Sequence, residues 1–148
     1  MIVGAPLPEP DRDSLPWWEA VREHRLTVQQ CAECAALRWP ARACCNRCGS
    51  WSWEWLEPSG RGTIASWIVS HHAFSGGDPS PYVVVSVRLD EQPDVVIPGA
   101  YAGAADGTDL RMGLPVEVGF EDVGGGEPAE RATVLRWHPA GSGAGETQ

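Results

Sequence analysis

The sequence predicts a mainly β protein: a short N-terminal helix, a cysteine-bearing ribbon, and a small closed barrel of five strands. Three observations lead there. Two Cys-x-x-Cys pairs, Cys31/Cys34 and Cys45/Cys48, stand in one short segment. Five β-rich runs follow between residues 63 and 137, each bounded by Gly, Pro or Asp turn chemistry. Apart from one expected turn at Asp109–Gly113, helix signals are confined to the segment before residue 25. With 148 residues, 43% of them hydrophobic, the chain is sized for one compact domain or a small module beside a larger one.

Residues 1–30 read as an arm and a helix. The first 13 residues, rich in proline and charge, predict an extended arm. Ser14 is a candidate N-cap, Pro16 suits the first turn, and Glu19 puts negative charge near the helix start. Trp17, Trp18 and Val21 make an apolar stripe on a helix that runs to about His24. Leu26, Val28 and Cys31 then alternate with polar residues, as a short strand does. Residues 31–56 form the predicted metal ribbon, ending in Trp51-Ser52-Trp53-Glu54-Trp55, whose alternation sends three indoles to one face of a strand.

Residues 57–138 form the predicted barrel. Its strands are Thr63–Ser70, Tyr82–Leu89, Val95–Tyr101, Val116–Glu121 and Ala132–Trp137, separated by Gly76-Gly77-Asp78-Pro79, Asp90-Glu91-Gln92-Pro93, Asp106-Gly107 and Gly124-Gly125-Gly126. Five short strands suit the OB-fold. Asp109–Gly113 reads as a single helical turn feeding the fourth strand. The tail, residues 139–148, is expected to be disordered.

Cys31, Cys34, Cys45 and Cys48 carry the sharpest chemical signal. Two knuckles ten residues apart can face each other and close a tetrahedral cage of thiolates. Zinc is the expected ion, one per chain; iron is the competing occupant of the same four sulfurs. A cage with no open position is structural, so chemistry on a substrate is not expected at the metal. Cys44 would make a three-residue knuckle with Cys48 and reads as a spare thiol. Four thiolates and a divalent cation sum to −2, and Arg38, Arg42 and Arg47 stand near enough in sequence to offset that charge. The same arginines are the candidate surface for a phosphate-bearing cofactor.

Other features exclude more than they assert. All 11 basic residues are arginine, so imine chemistry on a lysine amine is impossible. A net charge of −9 argues against nucleic acid, the alternative use of a zinc ribbon joined to an OB barrel. No Walker loop, dinucleotide fingerprint or nucleophile elbow occurs. His71-His72 has no acid or nucleophile at a recognisable spacing and reads as a strand-end pair. No catalytic set assembles within the chain. Trp17, Trp18, Trp51, Trp53 and Trp55 are candidate partner-interface residues, since eight tryptophans are many for one small core. Neither a signal-peptide pattern nor a membrane-length apolar run is present, and clustered cysteines suit a cytoplasmic protein.

Taken together, these segments resemble the DUF35 family. The resemblance rests on Ser14-Leu-Pro-Trp-Trp-Glu, Arg25-Leu26 before Cys31-x-x-Cys34, Leu37-Arg-Trp-Pro-Ala-Arg42, and Cys45-Asn-Arg-Cys48-Gly-Ser. It continues through Ser59-Gly-Arg-Gly-Thr-Ile64, Pro81-Tyr-Val-Val84, Val87-Arg-Leu-Asp90 and Gly113-Leu-Pro-Val-Glu-Val118, covering about residues 14–138. Ala35 stands where the family usually has glycine, and Ala41 where it often has a second proline. The resemblance implies a rubredoxin-like zinc ribbon followed by an OB-fold. It also implies an accessory subunit, inactive alone, that docks on a thiolase-like partner in a hetero-oligomer such as two of each chain. The partner would act on acyl-CoA in a retro-aldol or acyl-transfer reaction, steroid side-chain retro-aldol cleavage being one candidate, and this chain would help frame the coenzyme A channel. Neither nucleic acid nor membrane is an expected partner.

Overall fold

The structure, a computed structural model, describes residues 7–72 and 80–141. The Gly76-Gly77-Asp78-Pro79 turn and most of the expected tail lie outside the described residues. The helix, α1, spans Leu15–Arg22. Its start differs from expectation. Ser14 makes no side-chain cap to the helix; instead the Ser14 N–H donates to the Asp11 carboxylate (2.7 Å) and the Asp11 N–H donates to the Ser14 hydroxyl (3.0 Å). The pair forms a reciprocal box one turn upstream. Glu19 falls outside the first turn, which carries no acidic residue.

The helix ends two residues earlier than the sequence suggested because His24 takes a left-handed φ of 59°. The His24 N–H then donates to Val21 O (2.8 Å) and the Arg25 N–H to Ala20 O (2.9 Å), a Schellman stop with histidine in the place glycine usually takes. The His24 ring stacks on Phe120 (5.3 Å between centroids) and its Nε2 lies 3.1 Å from Asp122, tying the helix end to the barrel. Trp17 and Val21 face inward, and α1 lies against the last strand.

The ribbon is a three-stranded antiparallel sheet of β1 (Val28–Cys31), β2 (Leu37–Arg38) and β3 (Trp53–Leu56), in the order β2-β1-β3. Trp51 precedes β3 rather than belonging to it. The alternation therefore fixes only Trp53 and Trp55, opposite Cys31 and Gln29, whereas Trp51 projects from the loop, 74% exposed.

The barrel comprises β4 (Arg61–Ser70), β5 (Tyr82–Leu89), β6 (Val96–Tyr101), β7 (Pro115–Gly124) and β8 (Arg131–Pro139), closed in the order β4-β5-β6-β8-β7. This is the expected five-stranded OB architecture. Closure comes from a short parallel pairing of β6 with β8, Ala100 opposite Arg136 and Tyr101 opposite Trp137. Residues 109–113 form no helical turn: Asp109, Met112 and Gly113 lie in turns, with Leu110 and Arg111 irregular between them. Alternation along β5 sends Val83, Val85, Val87 and Leu89 inward, where they meet Ile64, Ile97, Val116, Leu135 and Trp137. Trp17, Val21, Leu26, Val28 and Leu37 join the same cluster, so helix, ribbon and barrel share one core.

Ribbon and barrel are further clamped by a single turn between β5 and β6. Glu91 accepts from the Ser59 N–H (2.8 Å). The Gln92 amide both accepts from and donates to the Leu37 backbone (2.8 Å each way), covering the open edge of β2. Asp94 accepts from the Arg47 guanidinium (2.5 Å). Among the described residues no helix is long and apolar enough to cross a membrane.

Candidate metal centre

The two knuckles have matching local structure. In the first, the Ala35 N–H donates back to Cys31 O (3.0 Å) and the Cys31 N–H to Ala36 O (2.9 Å). In the second, the Gly49 N–H donates to Cys45 O (2.9 Å) and the Cys45 N–H to Ser50 O (2.8 Å). Each turn needs a left-handed residue directly after its second cysteine: Ala35 at φ 61° and Gly49 at φ 77°. Glycine adopts that conformation freely; alanine does so at a cost of roughly 1–2 kcal/mol.

The four sulfurs of Cys31, Cys34, Cys45 and Cys48 all lie within 4.8 Å of one another, with Cys31–Cys48 at 3.5 Å and Cys34–Cys45 at 3.7 Å. A zinc ion bound at about 2.3 Å to four sulfurs sets them about 3.8 Å apart, so these residues fit a tetrahedral zinc ion. The five cysteines are free thiols, and Cys44, half-buried, stands outside the cluster.

Electrostatics point the same way. The N–H groups of Cys48 and Arg47 pull the Cys45 thiol down to about 6, and those of Cys34 and Glu33 lower Cys31. Cys48 receives the Ser50 N–H, yet the neighbouring sulfur of Cys31, burial, and the sulfurs of Cys34 and Cys45 push it up to about 12. Turns that favour thiolates thus surround a cluster too crowded to hold four of them without a cation.

The three arginines diverge. Arg38 is buried, 6% exposed, with its guanidinium 5.8 Å from the Trp53 ring centroid and donating to Arg42 O (3.2 Å). Arg42 is exposed, and its backbone is gripped by the buried Gln29 amide, which accepts from the Arg42 N–H (2.8 Å) and donates to its carbonyl (3.1 Å). Arg47 is drawn to Asp94 across the clamp. They do not converge on one anion site. Among the tryptophans, Trp17 is in the core, Trp18 and Trp55 pack partly against it, and Trp53 meets Trp55 edge-on at 5.1 Å, leaving Trp51 outward. His71 and His72 are exposed beyond β4. Sequence reasoning missed Gln29, Gln92 and Asp94, whose partners lie 13 to 55 residues away and leave no local signal.

Comparison with known proteins matches residues 18–54 to the ChsH2 rubredoxin-like zinc ribbon domain and residues 55–121 to the ChsH2 C-terminal OB-fold domain. A DUF35 domain-containing scaffold protein of Pyrococcus furiosus is 31% identical over 104 residues, spanning 69% of this chain and 74% of that protein. The chain belongs to the DUF35 family.

Among solved structures, a chain described as "Ltp2-ChsH2(DUF35) aldolase" superposes with a TM-score of 0.75 at 34% identity, covering 90% of this DUF35 chain and 99% of that one. A DUF35 protein of Sulfolobus solfataricus shares the fold at a TM-score of 0.58 and 14% identity, over 86% of this chain and 85% of that one. Two longer relatives are named as hydratase subunits. A probable enoyl-CoA hydratase alpha subunit of Thermomonospora curvata is 43% identical over 86 residues, 58% of this chain and 27% of that protein. The 3-oxo-4,17-pregnadiene-20-carboxyl-CoA hydratase alpha subunit of Mycobacterium tuberculosis is 31% identical over 115 residues, 78% of this chain and 36% of that protein. The DUF35 chain therefore spans roughly a third of the length of these hydratase subunits. The zinc-ribbon match and the sulfur geometry together support a structural zinc ion.

Proposed function

We propose that this chain is a non-catalytic accessory subunit that docks on a thiolase-fold enzyme acting on acyl-CoA, in a retro-aldol or acyl-transfer reaction of which steroid side-chain cleavage is one candidate. The observation that carries the reading is the likeness, over nearly the whole of both chains, to the DUF35 chain of a structure described as an aldolase. The chemistry of the chain agrees with it. The four sulfurs close a cage with no position for substrate, and Cys31, Cys34, Cys45 and Cys48 thereby fix a shape. Trp51 stands exposed on the loop that leaves the second knuckle, held by the Cys45-to-Ser50 and Ala32-to-Ser52 backbone bonds. A rigidly mounted indole is a suitable anchor for a partner protein. Coenzyme A would be met within the complex, with Arg42 and Arg47 the exposed cations among the three ribbon arginines and two copies of each chain the expected assembly. Free thiols throughout fit a cytoplasmic setting.

The names of the two longer relatives favour a second reading, in which the partner is an acyl-CoA hydratase. Co-expression with a thiolase-like protein and with a hydratase-like protein of the same genome separates the two. The expected result is co-elution with the thiolase-like chain and loss of that complex in Trp51→Ala. Elution of this chain alone, with the thiolase-like enzyme's activity unchanged by its addition, defeats the proposal; co-elution only with the hydratase transfers it to the second reading.

A further inference from the structure

Arg38 is a buried cation with no carboxylate paired to it among the described residues. It is 6% exposed, and its Nε and Nη1 have no hydrogen-bond partner among the described residues. Its one bond runs from Nη2 to the Arg42 carbonyl at 3.2 Å. Burying an unpaired charge is costly, and such a group ordinarily pairs with an opposite charge. The other two ribbon arginines are placed differently: Arg47 faces Asp94, and Arg42 is in solvent.

The strand register says what Arg38 faces. On β2 it stands opposite Gln29 of β1, and Cys31 follows two residues along on the same face. Trp53 of β3 stands opposite Cys31 on that face too. To come within 5.8 Å of the Trp53 ring, the guanidinium crosses β1 beside the Cys31 side chain. Arg38 thus shares its face of the sheet with Cys31, a member of the sulfur cage, which with a divalent cation in place would carry a net −2.

We propose that Arg38 is the built-in counter-charge of the metal cage, reducing its net charge inside the ribbon from −2 to −1. It acts through charge, its guanidinium bonded to the Arg42 carbonyl and lying 5.8 Å from the Trp53 ring centroid. This assigns to one of the three arginines a role that sequence proximity leaves open to all of them.

The test compares zinc affinity of the full chain, by competition with a chromophoric chelator, in wild type, Arg38→Gln and Arg38→Lys. Glutamine keeps an amide donor on a shorter side chain but carries no charge; lysine keeps the charge and loses the planar fork. Arg38→Gln should bind zinc about ten- to a hundredfold more weakly, and Arg38→Lys should stay close to wild type. Equal affinity in wild type and Arg38→Gln overturns the proposal, as does a lysine variant as weak as the glutamine one, which would make Arg38 only a tether for the loop. Should Arg38→Gln fail to fold, the same change is made with Cys34→His. A neutral imidazole lowers the cage charge by one, so that background should restore a folded, zinc-binding Arg38→Gln chain and shrink the difference between arginine and glutamine. A penalty unchanged by Cys34→His, or a chain still unfolded, overturns the proposal too.

Discussion

The ribbon and the barrel solve the same problem with different forces. Barrel strands of 6 to 10 residues enclose Val85, Val87, Ile97, Val116 and Trp137, all nearly inaccessible to water. Area removed from water holds them, and the bonds between strands follow. Ribbon strands have 2 to 4 residues, and only Val28 and Leu37 of β1 and β2 reach the core cluster. Directional contacts do the rest: four sulfurs around one point, and the amides of Gln29 and Gln92 each gripping both polar groups of one peptide residue. A sheet too small to bury an apolar face can still be specified, provided bonds with fixed geometry replace area.

The largest test of this contrast is metal removal. A strong chelator should melt residues 28–56 while the barrel stays folded, because ion binding supplies on the order of 10 kcal/mol to such ribbons. Backbone amide spectra read it directly; identical spectra before and after chelation would refute it. Trp137→Ala does the opposite. Emptying the largest fully buried site should cost about 3–5 kcal/mol in denaturant unfolding of the barrel, zinc-loaded or not. Gln92→Ala attacks the joint between the two regions. It leaves the Leu37 N–H and carbonyl without their partner and should lower stability by about 1–3 kcal/mol. The first sign should be faster hydrogen exchange in β2.

Two smaller effects sharpen the picture inside the ribbon. Ala35→Gly relieves a left-handed alanine and should gain about 1 kcal/mol, in contrast to Gly49→Ala, which should lose a similar amount although a Cβ there meets no atom within 4 Å. Arg47→Ala removes an exposed ion pair and should change thermal stability by less than about 1 kcal/mol. A larger loss would make that pair a true fastener of the clamp.

Much of this was legible in the chain itself. The cage could be read because ligand spacing is a local property, and β5 because inward valines alternate strictly at Val83, Val85 and Val87. The resemblance to DUF35 proteins was legible for the same reason, in short runs around those features. Illegible features share one cause: their partners are distant. β7 continues through Asp122 to Gly124, where composition argues for a loop, because β8 runs beside it and pairs Gly124 with Arg131. Trp51 alternates like a strand residue yet falls before the first paired residue. The Asp11–Ser14 box is local, but it needs two residues to act on each other's backbone rather than on the helix. The Gln92 amide has a partner 55 residues away, and nothing in Asp90-Glu91-Gln92-Pro93 announces it.

The barrel's closing seam carries a consequence of its own. β6 and β8 meet in parallel only around Ala100–Arg136 and Tyr101–Trp137, with the Ala102 N–H adding a bond to the Trp137 carbonyl, while β7 accompanies β8 from end to end. Thermal breathing of the cylinder should therefore start at this narrow hem. The widest indole in the core is sewn into it, packed so closely over Gly99 that a methyl group there would sit 2.8 Å from the ring. A single added carbon, Gly99→Ala, would push at the spot where the wall is thinnest.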